Sequence, residues 1–338
     1  MKIAIHQRSG SFSEHWINYC EKNNINYKVV NCYNNTIIRD VKDCDIILWH
    51  FHHGIFEDNL FAQKLLNALE VSGKIVFPNF NTAFHFDDKI AQKYLLESIN
   101  APLVNSFVFY NKHKALRWVE NIKLPIVFKL RGGAGSSNVK LIKSQNKARI
   151  IVKKSFNKGH SQFDKLGYLK SQINKFRNNT ISFKTLLKAP LRAIIGTKFS
   201  KLQPREKGYV YFQKFIKGND SDFRVIIIGD KAIAIKRMVL KNDFRASGSG
   251  KFYYDINLFD TEIIKIAFNV SNKINSNCCA FDFVYDNAKP LIVEISFGFA
   301  NSGYDACPGY WDKNLNFHKE VVNPYQWIIE DAIKMTNN

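Results

Sequence analysis

Pro125–Ile142 reads PIVFKLRGGAGSSNVKLI: a strand-like run ending near Lys129, a turn holding Gly132, Gly133, Gly135, Ser136 and Ser137, and a second strand. A lysine at a strand end followed by such a turn places an ammonium and several free backbone N–H groups around one anion, and a triphosphate suits that arrangement. The GxxxxGK[ST] pattern is absent and the turn joins two strands instead of opening a helix, so the passage is not a P-loop. Taken alone, the same residues also suit an ordinary hairpin loop.

Upstream, KIAIHQ, YKVVNC, DIILWHF and KIVFPN alternate with helical stretches around Ser13–Asn23 and Asn59–Val71. Buried apolar runs alternating with amphipathic helices predict a parallel, Rossmann-like sheet. The G-x-G-x-x-G fingerprint is missing after the first strand, so this unit need not bind a dinucleotide. FDDKIAQKYLLESINAP follows as a helix with Asp87 and Asp88 near its positive end.

Downstream, DFRVIIIGD and KAIAIKRMVL predict a hairpin turning at Gly229-Asp230, and CAFDFVYD and KPLIVEIS another turning at Asn287–Lys289. Helices are predicted over Thr261–Lys273 and near Pro324–Met335. Asp282 and Glu294 fall on the two strands of the second hairpin, where carboxylates among apolar neighbours suit a magnesium ion bridged by phosphate oxygens or, more simply, a solvated edge. Arg224, Lys236, Arg237 and Arg245 offer forks or charges for carboxylate or phosphate, or else lie on a solvated face.

Read in order, the DDK at Lys89, the VFK at Lys129, the Gly132–Ser137 turn, QKFIKGNDSDFR, the IKR ending at Arg237, FRASGSG, FDF and VEIS resemble the ATP-grasp superfamily. The nearest pattern is that of the ribosomal-protein glutamate ligases, with more distant likeness to glutathione synthetases and D-alanine ligases. The resemblance implies an α/β fold: a Rossmann-like domain over 1–85, then an N-terminal lobe over 86–210 with a basic insert at about 146–208, then a C-terminal lobe over 211–338, with antiparallel sheets in the two lobes.

It also implies ATP and Mg²⁺ (one or two ions, with Mn²⁺ as a substitute) as cofactors of a carboxylate–amine ligase that works through an acyl phosphate. Lys89 and Lys129 match lysines on the nucleotide phosphates, and Gly132, Gly133, Gly135, Ser136 and Ser137 match a lid over them. Gln213, Lys214, Phe215 and Ile216 match the adenine hinge, and Asp220 or Asp222 matches the ribose contact. Arg237 and Arg245, with Arg224, match groups that steady the transferred phosphoryl. Asp282 and Glu294 match metal ligands, and Ser296 stands where the family usually has Asn, which leaves a second metal open.

The formal charge is +20, and most of it is local: between Lys140 and Gly208, 14 Lys and 4 Arg face only Asp164 and Glu206. That insert suits an anionic diphosphate, an anionic membrane surface or simply a solvated face, and nucleic acid is the less favoured partner. The insert, ASGSG and the YDACPGYW tail resemble ATP-grasp proteins of bacterial surface-polysaccharide synthesis. This implies a uronic acid or amino sugar joined to an amino acid, with the insert meeting a nucleotide or lipid diphosphate. Tyr304, Tyr310, Trp311 and Trp327, interleaved with polar groups, suit stacking on sugar rings or, more simply, core and terminal packing. A protein glutamate-type ligase and a degenerate, nucleic-acid-binding module are the alternatives.

Consecutive positions in a strand point to opposite faces, so His50, His52 and His53 are not expected to form a joint metal site. Six cysteines without C-x-x-C spacing read as reduced, packed thiols. The absence of a leader-like or membrane-spanning run leads to the expectation of a cytoplasmic protein, peripheral at most to the inner membrane face.

Overall fold

The structure is a computed structural model describing residues 1–132, 138–196, 198–300 and 303–336. It opens with β1 (Ile3–His6), α1 (Phe12–Lys22), β2 (Tyr27–Val30), α2 (Ile37–Asp40), β3 (Ile46–Leu48), α3 (Phe56–Val71) and β4 (Ile75–Phe77). The strands form a parallel sheet in the order β2-β1-β3-β4. Every residue of β1 and β3 is buried, because helices cover both faces, and this is why these strands read as unbroken apolar runs.

The helices α4 (Phe80–Phe84) and α5 (Lys89–Ser98) follow. The Asp88 side chain caps α5 by accepting from the N–H groups of Ile90 and Ala91, both at 3.0 Å. Asp87 has φ +51°, so the helix begins at Lys89 and not earlier in the FDD run.

The next layer contains β5 (Ser106–Phe109), α6 (Lys112–Glu120), β6 (Ile126–Lys129), β7 (Lys140–Ile142), α7 (Gln145–Phe156), α8 (Lys165–Arg177), α9 (Phe183–Leu187), α10 (Ala189–Ile195), α11 (Lys198–Leu202) and β8 (Val210–Lys214). Strand β8 returns after the insert to pair between β5 and β6, giving an antiparallel sheet β5-β8-β6-β7. Ile126, Phe128 and Phe212 pack beneath Ala115, Val119, Ala148 and Val152 of α6 and α7. Alternation along the strands turns Val127, Lys129 and Gln213 to the opposite face. Within the insert the LLKAPLRAII run is two helices, because Lys188 closes α9 and Pro190 sits in the first turn of α10, where its missing N–H costs nothing.

The last layer comprises β9 (Ser221–Ile228), β10 (Lys231–Met238), β11 (Phe252–Tyr253), α12 (Thr261–Lys273), β12 (Cys278–Asp286), β13 (Lys289–Ser296), β14 (Tyr310–Asp312), β15 (Phe317–His318) and α13 (Pro324–Met335). Its sheet runs β13-β12-β9-β10-β14-β15, with β11 on β10. Gly229 adopts φ +52° in the first hairpin turn, and Asn287 and Ala288 adopt φ +49° and +64° in the second, the left-handed pair that tight hairpins need.

Both faces of this sheet are covered. Val225, Ile227, Ala234, Cys279, Phe281 and Phe283 meet α12, and Ile226, Ile228, Ile233, Ile235, Cys278 and Ala280 join the core shared with the parallel sheet and α13. Trp16 Nε1 donates to Tyr325 O at 3.1 Å across that junction. All six cysteines are buried free thiols. Tyr304, Trp311 and Trp327 are buried too, in keeping with the simpler reading of these tail aromatics as core packing. Among the described residues no helix is long and apolar enough to cross a membrane.

Candidate active site

One face of the last sheet changes character along its length. Ile226 and Ile228 on β9, Ile233 and Ile235 on β10, and Cys278 and Ala280 on β12 are core residues. The same face then continues as Asp222 and Arg224, Arg237, and Asp282. On β13, Glu294 stands directly opposite Asp282. A β-bulge between Asp282 and Phe283 lets Ile292 and Ile295 both face the α12 core, while Val293 and Glu294 both face the cleft. The bulge is therefore what brings Glu294 round to the other charged groups.

Across the cleft stand the residues that β6 and β8 turn away from their own core. Together the lobes enclose a cavity of about 490 Å³. Its lining includes the apolar Val104, Val127, Phe215, Ile216, Val239 and Val284 together with Lys129, Arg224, Arg245, Asp282, Glu294 and Ser296. Gln213 ties the walls together, its Nε2 donating to Ser106 Oγ at 3.1 Å and to Val293 O at 3.2 Å.

Lys89 is 4% exposed at the start of α5. That helix is clamped to β13 through Gln92, whose Nε2 donates to Ile295 O at 2.8 Å and whose Oε1 accepts from Ile295 N at 3.2 Å. The clamp sets Lys89 Nζ 3.4 Å from Glu294 Oε1 and 3.9 Å from Asp87 Oδ1. Burial alone would depress the Lys89 ammonium, but the Glu294 and Asp87 carboxylates outweigh it and the pKa is raised.

Lys129 is equally buried, and no carboxylate among the described residues pairs with it. Burial therefore lowers its pKa to about 8, with Glu294 only partly restoring the charge. The two lysines thus approach the cavity in different electrostatic states.

The arginines form a closed network. Arg224 Nε and Nη2 donate to the two oxygens of Asp282 at 2.6 and 2.9 Å. Arg237 Nε and Nη2 donate to both oxygens of Asp222 at 2.6 Å, and Nη2 also reaches Asp282 Oδ2 at 2.9 Å. Although burial raises the Asp282 carboxyl, the two guanidiniums overcome it and hold it well below the ordinary carboxylate range. Arg245 lines the cavity and makes a fork to Asp243, both contacts at 2.9 Å.

Asp222 lines the cavity, whereas Asp220 accepts from Ser221 Oγ and is not among the lining residues. Lys214, Phe215 and Ile216 line it as well, Lys214 Nζ reaching Asp286 at 2.8 Å. The Ser296 hydroxyl is engaged by the Gly298 backbone, accepting from its N–H at 3.1 Å. Lys236 is on the other side of β10 from Arg237, its ammonium 5.4 Å from the Phe223 ring, so it is not brought to the cavity. Gly132 approaches the Asp87 side chain, while Gly133, Gly135, Ser136 and Ser137 lie outside the described residues.

Sequence reasoning set aside His50, His52 and His53 as a metal site, yet all three line the cavity, just past the carboxyl end of β3. Ligands in parallel sheets bind at that end, which is the signal that could have found them. Burial lowers His52 and His53 to about 4, so both rings are neutral near pH 7. Gly54 N donates to His52 Nδ1 at 3.0 Å, which leaves Nε2 as the protonated nitrogen of the neutral ring. Among the described residues no group of three or more His, Cys, Asp or Glu is arranged to hold a metal alone. A cation here needs a ligand's oxygens as well, and Glu294 is the carboxylate less committed to guanidinium.

Residues 192–307 match the family model described as a RimK-like ATP-grasp domain. Among solved structures, D-alanine–D-alanine ligase from Bacillus anthracis in complex with ATP is similar over 100% of this chain and 98% of its own, at 14% identity and a TM-score of 0.58. A RimK-domain ATP-grasp protein from Sphaerobacter thermophilus is similar over 87% and 90%, at 14% identity and 0.52. N5-carboxyaminoimidazole ribonucleotide synthetase from Thermotoga maritima is similar over 98% and 75%, at 14% identity and 0.58. None of the curated proteins matches the sequence. The chain has the fold of the ATP-grasp ligases, with residues 192–307 similar to a RimK-like ATP-grasp domain.

Proposed function

We propose that the protein is an ATP-dependent carboxylate–amine ligase that forms an amide through an acyl phosphate. The observation carrying this reading is the cavity in which apolar side chains adjoin the buried Lys129, Arg224, Arg245 and Glu294, with the buried Lys89 against Glu294. The slot formed by Val127, Phe215, Ile216 and Val284 accepts adenine, and Asp222 is the better placed of the two aspartates for ribose. Lys89 and Lys129 meet phosphate oxygens. Glu294, opposite Asp282, would be the principal holder of Mg²⁺, with Ser296 in support, and the ion would neutralise triphosphate charge.

The acceptor carboxylate oxygen forms a bond to the γ-phosphorus as the bond to ADP breaks, and Arg224 and Arg245 line the space where negative charge gathers. The amine nitrogen then displaces phosphate from the acyl carbon. Enclosure between the lobes excludes the water that would hydrolyse the acyl phosphate.

The substrate pair is a uronic acid or amino sugar and an amino acid, with the sugar carried on a nucleotide or lipid diphosphate. The RimK-like match over 192–307 supports the ligase class, and the concentrated positive charge of the insert supports an anionic carrier. The neutral rings of His52 and His53 in the cavity lining suit a hydroxyl-rich substrate. ADP release assayed with panels of uronates, amino sugars and amino acids is expected to rise for one such pair. Stimulation only by a polypeptide acceptor, with a matching mass increase, would instead make the protein a peptide ligase.

A pH dependence follows from Lys129. Its charge is present below about pH 8 and is lost as pH rises through that value. Nucleotide affinity is therefore expected to fall with rising pH, by up to about tenfold per unit for a single essential proton. Fluorescence titration with a nucleotide analogue checks this, and Lys129→Arg should flatten the profile. A flat wild-type profile would place Lys129 away from the phosphates.

A further inference from the structure

Helix α10 presents its side chains the wrong way round for a helix in water. Ala189 and Ala193, one turn apart, are buried, while Leu191, Ile194 and Ile195 on the other side are 60%, 73% and 52% exposed. Helix α9 has no buried residue and exposes Phe183 and Leu187, also one turn apart. Helix α8 has none either, and Leu166, Ile173 and Phe176 run along it as an exposed stripe. The Phe176 and Phe183 rings lie 5.9 Å apart and join the stripes of α8 and α9. With Leu202 of α11, these nine residues concentrate bare apolar surface in a short stretch of chain.

The same stretch carries charge of one sign. Lys165–Leu202 holds seven Lys and two Arg and no Asp or Glu. Lys165, Lys170, Arg177, Lys184, Lys188, Arg192, Lys198 and Lys201 are exposed, and among the described residues only Lys198 pairs with a carboxylate, Glu57 at 3.2 Å. A nucleic acid would use the cations but leave Leu191, Ile194 and Phe183 in water. An apolar protein surface would cover those three but leave seven exposed cations uncompensated. An anionic bilayer answers both, since headgroup phosphates meet the lysines and arginines while the apolar side chains enter the acyl boundary.

The insert also touches the wall of the cavity. Asn178 Nδ2 donates to Lys241 O at 3.4 Å, and Ser171, Asn174 and Lys175 of α8 share a small pocket with Asp243, Arg245 and Ser247. Arg245 and Ser247 line the large cavity too.

We propose that α8–α11 form a docking surface for an anionic lipid bilayer, which holds the cleft beside the membrane. The surface stands on the insert alone and does not depend on the chemistry assigned to the cleft.

The test is co-sedimentation of the full chain, without nucleotide, with vesicles of phosphatidylglycerol and phosphatidylcholine and with vesicles of phosphatidylcholine alone. Binding is expected to the mixed vesicles and to weaken with salt. Removing three charges by Lys184→Gln, Lys188→Gln and Arg192→Gln should cut it by about 100-fold. Leu191→Asp with Ile194→Asp should reduce it by at least about tenfold, and circular dichroism should match wild type because these side chains face outward.

Three results would overturn the proposal: no sedimentation with mixed vesicles, equal binding to both kinds, or an apolar variant that binds unchanged. Binding to duplex RNA that survives Leu191→Asp with Ile194→Asp, in a chain that ignores vesicles, would make the segment a nucleic-acid surface.

Discussion

Glu294→Ala is expected to lower Mg²⁺-dependent ADP formation by about 10²–10³-fold or more, the loss seen when a group stabilising transition-state charge is removed. Glu294 projects into the cavity beside a bulge, and its side chain keeps 29% exposure there. Its partner within the chain is Lys89 at 3.4 Å, and Lys89 keeps Asp87 when Glu294 is gone. The stability cost is then about that of one charged hydrogen bond, about 1–3 kcal/mol. Single-turnover ADP release and a thermal melt together check this: activity should collapse while a cooperative melt persists. Full turnover in Glu294→Ala would mean that the metal is held elsewhere.

Lys129, Arg224, Arg237, Asp282 and Glu294 were legible in the sequence because each sits on a strand with apolar neighbours. FDFVYD and KPLIVEIS pair as two strands across Asn287 and Ala288, as the turn residues between them predict. The helices Thr261–Lys273 and Pro324–Met335 begin at strong caps, Asp260 and Asn323, and so their limits could be read locally.

Other features depend on contacts that no local pattern encodes. The Arg224–Asp282 fork joins residues 58 positions apart and follows from the β9–β12 register. The bulge after Asp282 moves one residue of β13 from one face to the other, a change that alternation in the sequence does not reveal. His52 and His53 look unremarkable in a row of histidines until the order of the parallel sheet places the end of β3 over the cavity. The tail aromatics suited stacking or packing alike in the sequence, and Tyr304, Trp311 and Trp327 complete cores to which the sheets and α13 contribute.

Asp282→Ala is expected to behave differently from Glu294→Ala, by destabilising the fold as well as stopping the chemistry. Asp282 receives both donors of the Arg224 fork and a third bond from Arg237, whose own fork holds Asp222. Two guanidiniums and two carboxylates thus balance on one sheet face, and the side chains of Arg237 and Asp282 are only 5% and 12% exposed.

Removing one member leaves buried positive charge without its counterpart, which costs about 3–5 kcal/mol, more than a surface ion pair could. Urea unfolding should show that drop, with an unchanged slope if the unfolded chain is unaffected. Replacing Arg224 and Asp282 together by apolar residues should cost clearly less than the sum of the single changes, because the second substitution removes the charge stranded by the first. If Asp282→Ala instead unfolds at the wild-type urea midpoint while losing activity, the guanidinium network adds nothing to stability and Asp282 acts at the nucleotide alone.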